Sequence, residues 1–235
     1  MDGTSQTLAR LGTVAAVVGA PLLLVSTLLH PLQSDPNDGL LAFAEYAADS
    51  FWLWSHLGQF LGIILLGAAL VAMAATFEPG RAAAWARIGL VGTAASIAMA
   101  AALQAVDGVA LKVMVDRWAA ASGDERALAV ETAFAVRQIE IGLASLLSLS
   151  FDLTLIVFGI ATLGSRRYPR WLGGIGLLGG LGLVAAGAAQ GATGFSGTAM
   201  RLSMAASAVV LIWAVLIGVH MWWLAPELTG DGDFT

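Results

Sequence analysis

Six stretches of this chain are so long and so apolar that each must either cross a membrane or be hidden whole inside a protein. They run near Leu8–Leu29, Phe51–Phe77, Trp85–Leu103, Gly142–Leu163, Trp171–Gln190 and Leu202–Leu224. Their lengths approach the roughly 20 residues a helix needs to cross a hydrocarbon core about 30 Å thick. Polar stripes at helical spacing are weak within them, so these helices are apolar on most faces. With 58% hydrophobic and 11% charged residues among 235, the chain holds more apolar surface than one water-facing globule of this size buries. The predicted fold class is all-α: a six-helix transmembrane bundle forming a single integral membrane domain over residues 1–235, with N- and C-termini cytoplasmic.

The prolines support this division, since Pro31, Pro36, Pro79, Pro169 and Pro226 fall in or beside loops, where a missing N–H costs little. The first span follows Arg10 as a secretory signal would, but it is as long as a full crossing and has no A-x-A-like exit, so it is expected to be retained, with a kink at Pro21. Orientation follows from cations that resist translocation. An inward N-terminus puts Arg10, Arg81, Arg87, Arg166, Arg167 and Arg170 in the cytoplasm and leaves only Arg201 in the facing short loops. The long third loop, with Lys112, Arg117, Arg126 and Arg137, lies outside in this arrangement and weakens the count. The expected location is the cytoplasmic (inner) membrane. Tryptophan placement agrees: Trp52, Trp54 and Trp118 fall near the outer boundary, and Trp85, Trp171, Trp222 and Trp223 near the inner one.

Two regions read as helical outside the bilayer. In residues 38–50, Asp38 suits an N-cap, and Leu40, Leu41, Ala44 and Ala47 space like one face of a surface helix. Residues 107–140 extend the third and fourth spans outward around a turn at Ser122-Gly123, with Lys112 and Asp116 at pairing distance on a helix. The odd-numbered spans open alike, at Arg10-Leu11-Gly12, Arg87-Ile88-Gly89 and Arg170-Trp171-Leu172-Gly173. A shared need for an inner-face cation beside a small residue explains this more simply than three duplicated hairpins.

Lipid tails are as apolar as leucine, so close backbone approach through small residues must hold the spans together. Gly58/Gly62, Gly176/Gly180 and Gly187/Gly191 are spaced for that purpose, and packing is preferred to a gating role for the glycines of the fifth span.

The polar residues within the spans are the candidates for function. Six-helix topology gathers His30, His56, Gln59, Gln104, Asp107, Arg137, Glu140 and Gln190 at one level near the outer face. A satisfied interhelical hydrogen-bond layer is the simpler account. An outward-opening pocket for a ligand, proton or ion is the sharper one. Asp152 stands apart, about midway along the fourth span with Ser145 and Ser148 on the same helical face. It suits a hydroxyl-bonded lock against a neighbouring helix, and as an alternative a proton relay. No HExxH, GxSxG, P-loop or CxxC element is present, so no catalytic residue is assigned. Absence of cysteine excludes disulfides and thiolate sites. Three histidines on the first, second and sixth spans form no metal-ligand spacing, and no metal or cofactor is expected; haem on His30 and His56 would need both at one level.

Phe158-Gly159 late in the fourth span and Tyr168-Pro169-Arg170-Trp171-Leu172-Gly173 opening the next resemble elements of an uncharacterised family of bacterial and archaeal multi-pass membrane proteins. The resemblance covers about a quarter of the chain and implies a fold of about six helices without implying a chemistry. The leading functional expectation is a non-enzymatic membrane protein that binds a small apolar or amphipathic ligand or lipid, or modulates a partner. A compact secondary transporter or proton-coupled permease comes second, and an intramembrane enzyme third. The expected partners are the lipid bilayer and such a ligand. No nucleic-acid patch is present, and a homo-oligomer is compatible with the sequence.

Overall fold

Hydrocarbon offers no partner to a backbone amide or carbonyl, and a helix satisfies both internally, so each long apolar run becomes one. The computed structural model describes residues 3–31 and 33–229, among which there is no strand. The described residues include six helical stretches long and apolar enough to cross a membrane. The first is α1 (Gly3–Leu28), which continues through Pro21. A short α2 (Gly39–Ala48) precedes α3 (Trp52–Thr76). Next, α4 (Arg81–Gln104) passes through a π-helical segment (Ala105–Leu111) into α5 (Lys112–Ala120). After the turn at Gly123, whose φ is +57°, the long α6 (Gly123–Gly164) returns, succeeded by α7 (Arg170–Thr193) and α8 (Gly197–Leu224). A 3-10 turn, Ala225–Thr229, completes the described chain.

The spans form a closed ring in chain order, α1–α3–α4–α6–α7–α8, with α8 back against α1. The start of α1 and the end of α8 lie at one end of the ring, here the terminal end, and α2 lies at the other, here the α2 end. Leu66, Leu70, Leu155, Val210, Trp213 and Ile217 fill the axis around a cavity of about 20 Å³. Trp213 is 2% exposed, and its indole N–H donates to the Leu172 carbonyl at 2.9 Å.

Glycine sets the spacing between neighbours. A Cβ on Gly62 would stand 2.8 Å from Leu23 Cβ and 2.9 Å from the Leu23 backbone nitrogen, so α1 and α3 meet backbone to backbone. Gly180 admits the Asp152 carbonyl and Ile156 of α6, and Gly218 admits Ala16 of α1. The α1–α8 seam also has a polar clasp, in which the Thr13 hydroxyl donates to the Gly218 carbonyl at 2.8 Å.

A second apolar cluster sits beyond the ring. The α4–α5 stretch has 40 residues and α6 has 42, so each is roughly 60 Å long, about twice the hydrocarbon thickness. Their halves beyond the ring and α2 enclose Phe43, Tyr46, Trp52, Leu111, Val115, Trp118 and Ala133. This cap revises two expectations. Trp52 and Trp118 are buried in it instead of anchoring at a headgroup boundary, while Trp54 is exposed. In α2 the inward face is Ala42, Phe43 and Tyr46, and Leu40 and Leu41 point outward. The inner aromatics on α3, α5 and α6 select that face.

At the terminal end, Glu78 ties two loops together. Its carboxylate accepts from the Arg166 N–H at 2.6 Å and the Ser165 hydroxyl at 2.8 Å. Partial burial pushes this carboxyl up, but those hydrogen bonds, its own backbone N–H and the Arg167 guanidinium outweigh it and hold it below the ordinary range. A depressed folded-state value means the tie contributes fully above the unfolded value and is lost as pH falls through the folded one.

Two predictions concern this architecture. Gly62→Leu should destabilise the protein by on the order of 1–3 kcal/mol, read as a lower melting midpoint by tryptophan fluorescence in detergent. Gly174→Ala, where a Cβ meets nothing within 4 Å, should leave that midpoint unchanged. Glu78→Gln should cost about 1 kcal/mol or less at neutral pH, since water screens a half-exposed group. The difference from wild type should vanish on acidification below the carboxylate range.

Candidate functional site

The cap closes over the α2 end of the ring, and the most unusual polar geometry lies at that junction. It starts in the first turn of α3. Trp52 is 1% exposed, and its indole N–H reaches across to the Gly108 carbonyl at 3.1 Å. One turn on, His56 stacks on the Trp52 ring, centroids 4.4 Å apart. His56 Nδ1 lies 2.7 Å from the Trp52 carbonyl, which can only accept, so Nδ1 carries the hydrogen. Ser55 also donates to that carbonyl, at 2.8 Å. The adjacent Ser55 and His56 are therefore not a nucleophile and its base, because both direct their hydrogens to one backbone oxygen.

Asp107 arrives from the π-helical segment. Wider π turns are rare and often mark functional positions. Here the turn aims Asp107 at α3 while Gly108 lets the two backbones meet; a Cβ on Gly108 would be 2.9 Å from His56 Cβ. Asp107 Oδ2 lies 3.1 Å from His56 Nε2. The contact is close without being a well-directed hydrogen bond, and both His56 Nε2 and Asp107 Oδ1 are buried without a hydrogen-bond partner.

His30, just past the end of α1, completes the group. Its ring centroid is 5.0 Å from those of His56 and Trp52, and its Nδ1 donates to the Pro31 carbonyl at 2.9 Å. Burial pushes its pKa below the ordinary histidine value; the Asp107 charge opposes this and the neighbouring His56 adds to it. One ligand atom from each of His30, His56 and Asp107 lies within 4.8 Å of the other two.

Around these three the cap is held by charge. Arg137, 3% exposed, donates to Glu140 at 3.3 Å and to the Pro36 carbonyl at 2.9 Å. Its guanidinium also lies over the rings of Tyr46 and Phe195, at 5.3 and 5.1 Å. One side chain thereby joins α6 to the α1–α2 and α7–α8 connections. Burial pushes the Tyr46 hydroxyl up to about 12. Glu45 accepts from the N–H groups of Gln33 and Ser34 at 3.0 and 2.7 Å, fastening the strap beyond His30. Lys112 donates to the Tyr46 and Ala47 carbonyls that end α2, and to Asp116 at 2.7 Å.

The residues singled out by sequence separate into groups. His56, Asp107, Arg137 and Glu140 meet in the junction. Gln104 donates to Gln59 at 3.3 Å, joining α4 to α3, and its own carbonyl oxygen is buried without a partner. Gln190 reaches Ser145 at 3.4 Å, joining α7 to α6. Asp152 lies apart, 1% exposed, accepting from Ser148 of its own helix at 3.1 Å, so its hydrogen bond does not tie α6 to a neighbour. His220 is at the terminal end, 2.8 Å from the Arg167 carbonyl. Sequence reading underweighted Trp52, Tyr46 and Gly108. The four-residue spacing of Trp52 and His56 is a usable signal for the stack, but nothing in AVDGVAL announces a π turn. No protein-family model, no curated protein and no solved structure matches the chain.

Proposed function

We propose that this multi-pass membrane protein is a non-enzymatic binding protein of the cytoplasmic (inner) membrane. In this reading its termini are cytoplasmic, and its α2 end faces outward and takes up a small ligand bearing a positive or hydrogen-bond-donating group. The observation that carries it is the pairing of two buried acceptors, His56 Nε2 and Asp107 Oδ1, that the protein itself leaves without a hydrogen bond. A buried polar atom without a partner costs about 1–3 kcal/mol, so a site that retains two invites a ligand to supply what is missing. The direction of insertion is supported by the arginines: Arg10, Arg81, Arg87, Arg166, Arg167 and Arg170 collect around the terminal end.

Binding is favoured over transport by the ring's axis, which apolar side chains fill between the junction and the terminal end. Asp152 makes its hydrogen bond within its own helix. An enzymatic reading lacks a nucleophile, since Ser55 is committed to a backbone carbonyl.

Absence of cysteine gives a clean test. Single cysteines at Ser50, Arg81 and Asp152 would be probed with a membrane-impermeant maleimide on intact cells and on inverted vesicles. Ser50→Cys should react only from outside and Arg81→Cys only from inside, and Asp152→Cys should stay at least about ten-fold slower from both. Reaction of Asp152→Cys from both faces would establish a two-sided route and reject one-sided binding in favour of transport. Reversed labelling of the two controls would reject the orientation.

A further inference from the structure

The geometry points to a binding site for one divalent first-row transition-metal ion, held by His30, His56 and Asp107 at the junction of ring and cap. This deepens the proposed function, and rests on it, by naming the class of ligand.

The hydrogen positions lead to this conclusion. Both histidines direct Nδ1–H to a backbone carbonyl, His30 to Pro31 and His56 to Trp52. That is the arrangement by which metal-binding imidazoles are oriented and their tautomer set, leaving Nε2 with an exposed lone pair. At His56 this lone pair lies 3.1 Å from a carboxylate oxygen. Two electron-rich atoms do not approach so closely without a positive charge between them. With His56 protonated the two form an ion pair; the same two atoms, with Nε2 in no well-directed N–H···O bond at a residue 2% exposed, can instead share a metal ion. A metal ion needs no linear arrangement, because it sits where the lone pairs converge, off the line between the two atoms. Ligand atoms each about 2 Å from a tetrahedral ion stand about 3.3 Å apart, close to the 3.1 Å between His56 Nε2 and Asp107 Oδ2; the three ligand atoms together lie within 4.8 Å of one another.

Local charge favours a cation as well. Arg137 is paired with Glu140, so it does not neutralise Asp107. Asp49, which caps the end of α2, adds a further carboxylate, with Oδ2 buried and without a hydrogen bond. Two imidazole nitrogens and one carboxylate suit Zn²⁺ and its neighbours better than Mg²⁺ or Ca²⁺, which take oxygen-rich sites. Haem does not fit between these rings, since centroids 5.0 Å apart leave no room for a macrocycle.

Protein purified in detergent, with any affinity tag removed, would be stripped with a chelator and titrated with Co²⁺, with Zn²⁺ as competitor. Wild type should bind one equivalent with visible d–d absorption that Zn²⁺ abolishes. His56→Ala and Asp107→Asn should each weaken binding by at least about ten-fold, whereas His220→Ala should bind as wild type does. Asp107→Asn is nearly isosteric; its melting midpoint without metal, compared with wild type, separates loss of a ligand from loss of fold. The inference is overturned if wild type takes up no Co²⁺, if Asp107→Asn and His56→Ala bind equally well, or if His220→Ala removes the signal. One-sided cysteine labelling together with no Co²⁺ uptake would reject the metal and keep the binding reading. Co²⁺ uptake with two-sided labelling of Asp152→Cys would do the reverse.

Discussion

The solvent around these helices determines what can hold them together. In water, burying leucine against leucine is favourable; in lipid the same exchange gains almost nothing, and association must come from backbone proximity and interhelical hydrogen bonds. The ring obeys that rule at each seam described. Gly62 brings α3 onto the backbone of α1, Gly218 seats Ala16, and Gly180 seats the α6 carbonyl at Asp152. The clasp from Thr13 to Gly218 adds direction to a seam that sterics alone would let slide. Large apolar side chains then have two places, the ring's axis or the lipid. Leu178, Val91 and Trp223, at 66%, 73% and 72% exposed, are normal for a surface whose solvent is hydrocarbon.

Beyond the ring the construction changes. The cap is built from aromatic and branched side chains around Phe43, Trp52 and Trp118, as a small water-soluble core would be. Its rim carries Arg117, Glu125 and Arg126, with Arg126 lying over the Trp118 ring at 4.6 Å. The two cores are made by different physics and must be joined. The joint is where a span's first turn (Trp52 and His56), a π turn (Asp107 and Gly108) and the end of α1 (His30) meet. A π turn adds a residue to the helical circuit and so rotates α5 relative to α4. One continuous stretch can therefore pack its α4 half against the ring and its α5 half against α2.

How much of this was legible in the sequence depends on range. The six spans are written in composition and length, because hydrophobic thickness acts on each helix separately, and the all-α bundle is a direct consequence. Asp38 as N-cap and Lys112 with Asp116 as a pair are local as well, and both occur. Trp52 and Trp118 were misleading because a tryptophan near a span's end is an anchor only if nothing covers it, and α2 with α5 covers both. Asp152 with Ser148 could be seen at four-residue spacing, but the absence of a cross-helix partner could not, since that depends on which face of α6 meets α7. The junction lay furthest out of reach. His30, His56 and Asp107 are separated by 26 and 51 positions, and only the π turn and the close contact at Gly108 bring the last to the first two.

That placement bears on why ionisable groups survive here and almost nowhere deeper. A charge in the hydrocarbon must be paired or neutralised, and one in open water is too well solvated to bind a ligand firmly. A junction between an apolar ring and a cap with a charged rim lies between these limits. Side chains there can be sheltered, as His56 and Arg137 are, while remaining one layer of protein from the outside. Arg137 reinforces the shelter by reaching both the Pro36 carbonyl and the Phe195 ring, so the connections that cover the site are fastened by a residue of the same layer. Structural closure and chemical capacity therefore have a common origin in the geometry of α6. A protein that needed only to span the membrane would have no use for the half of that helix beyond the ring.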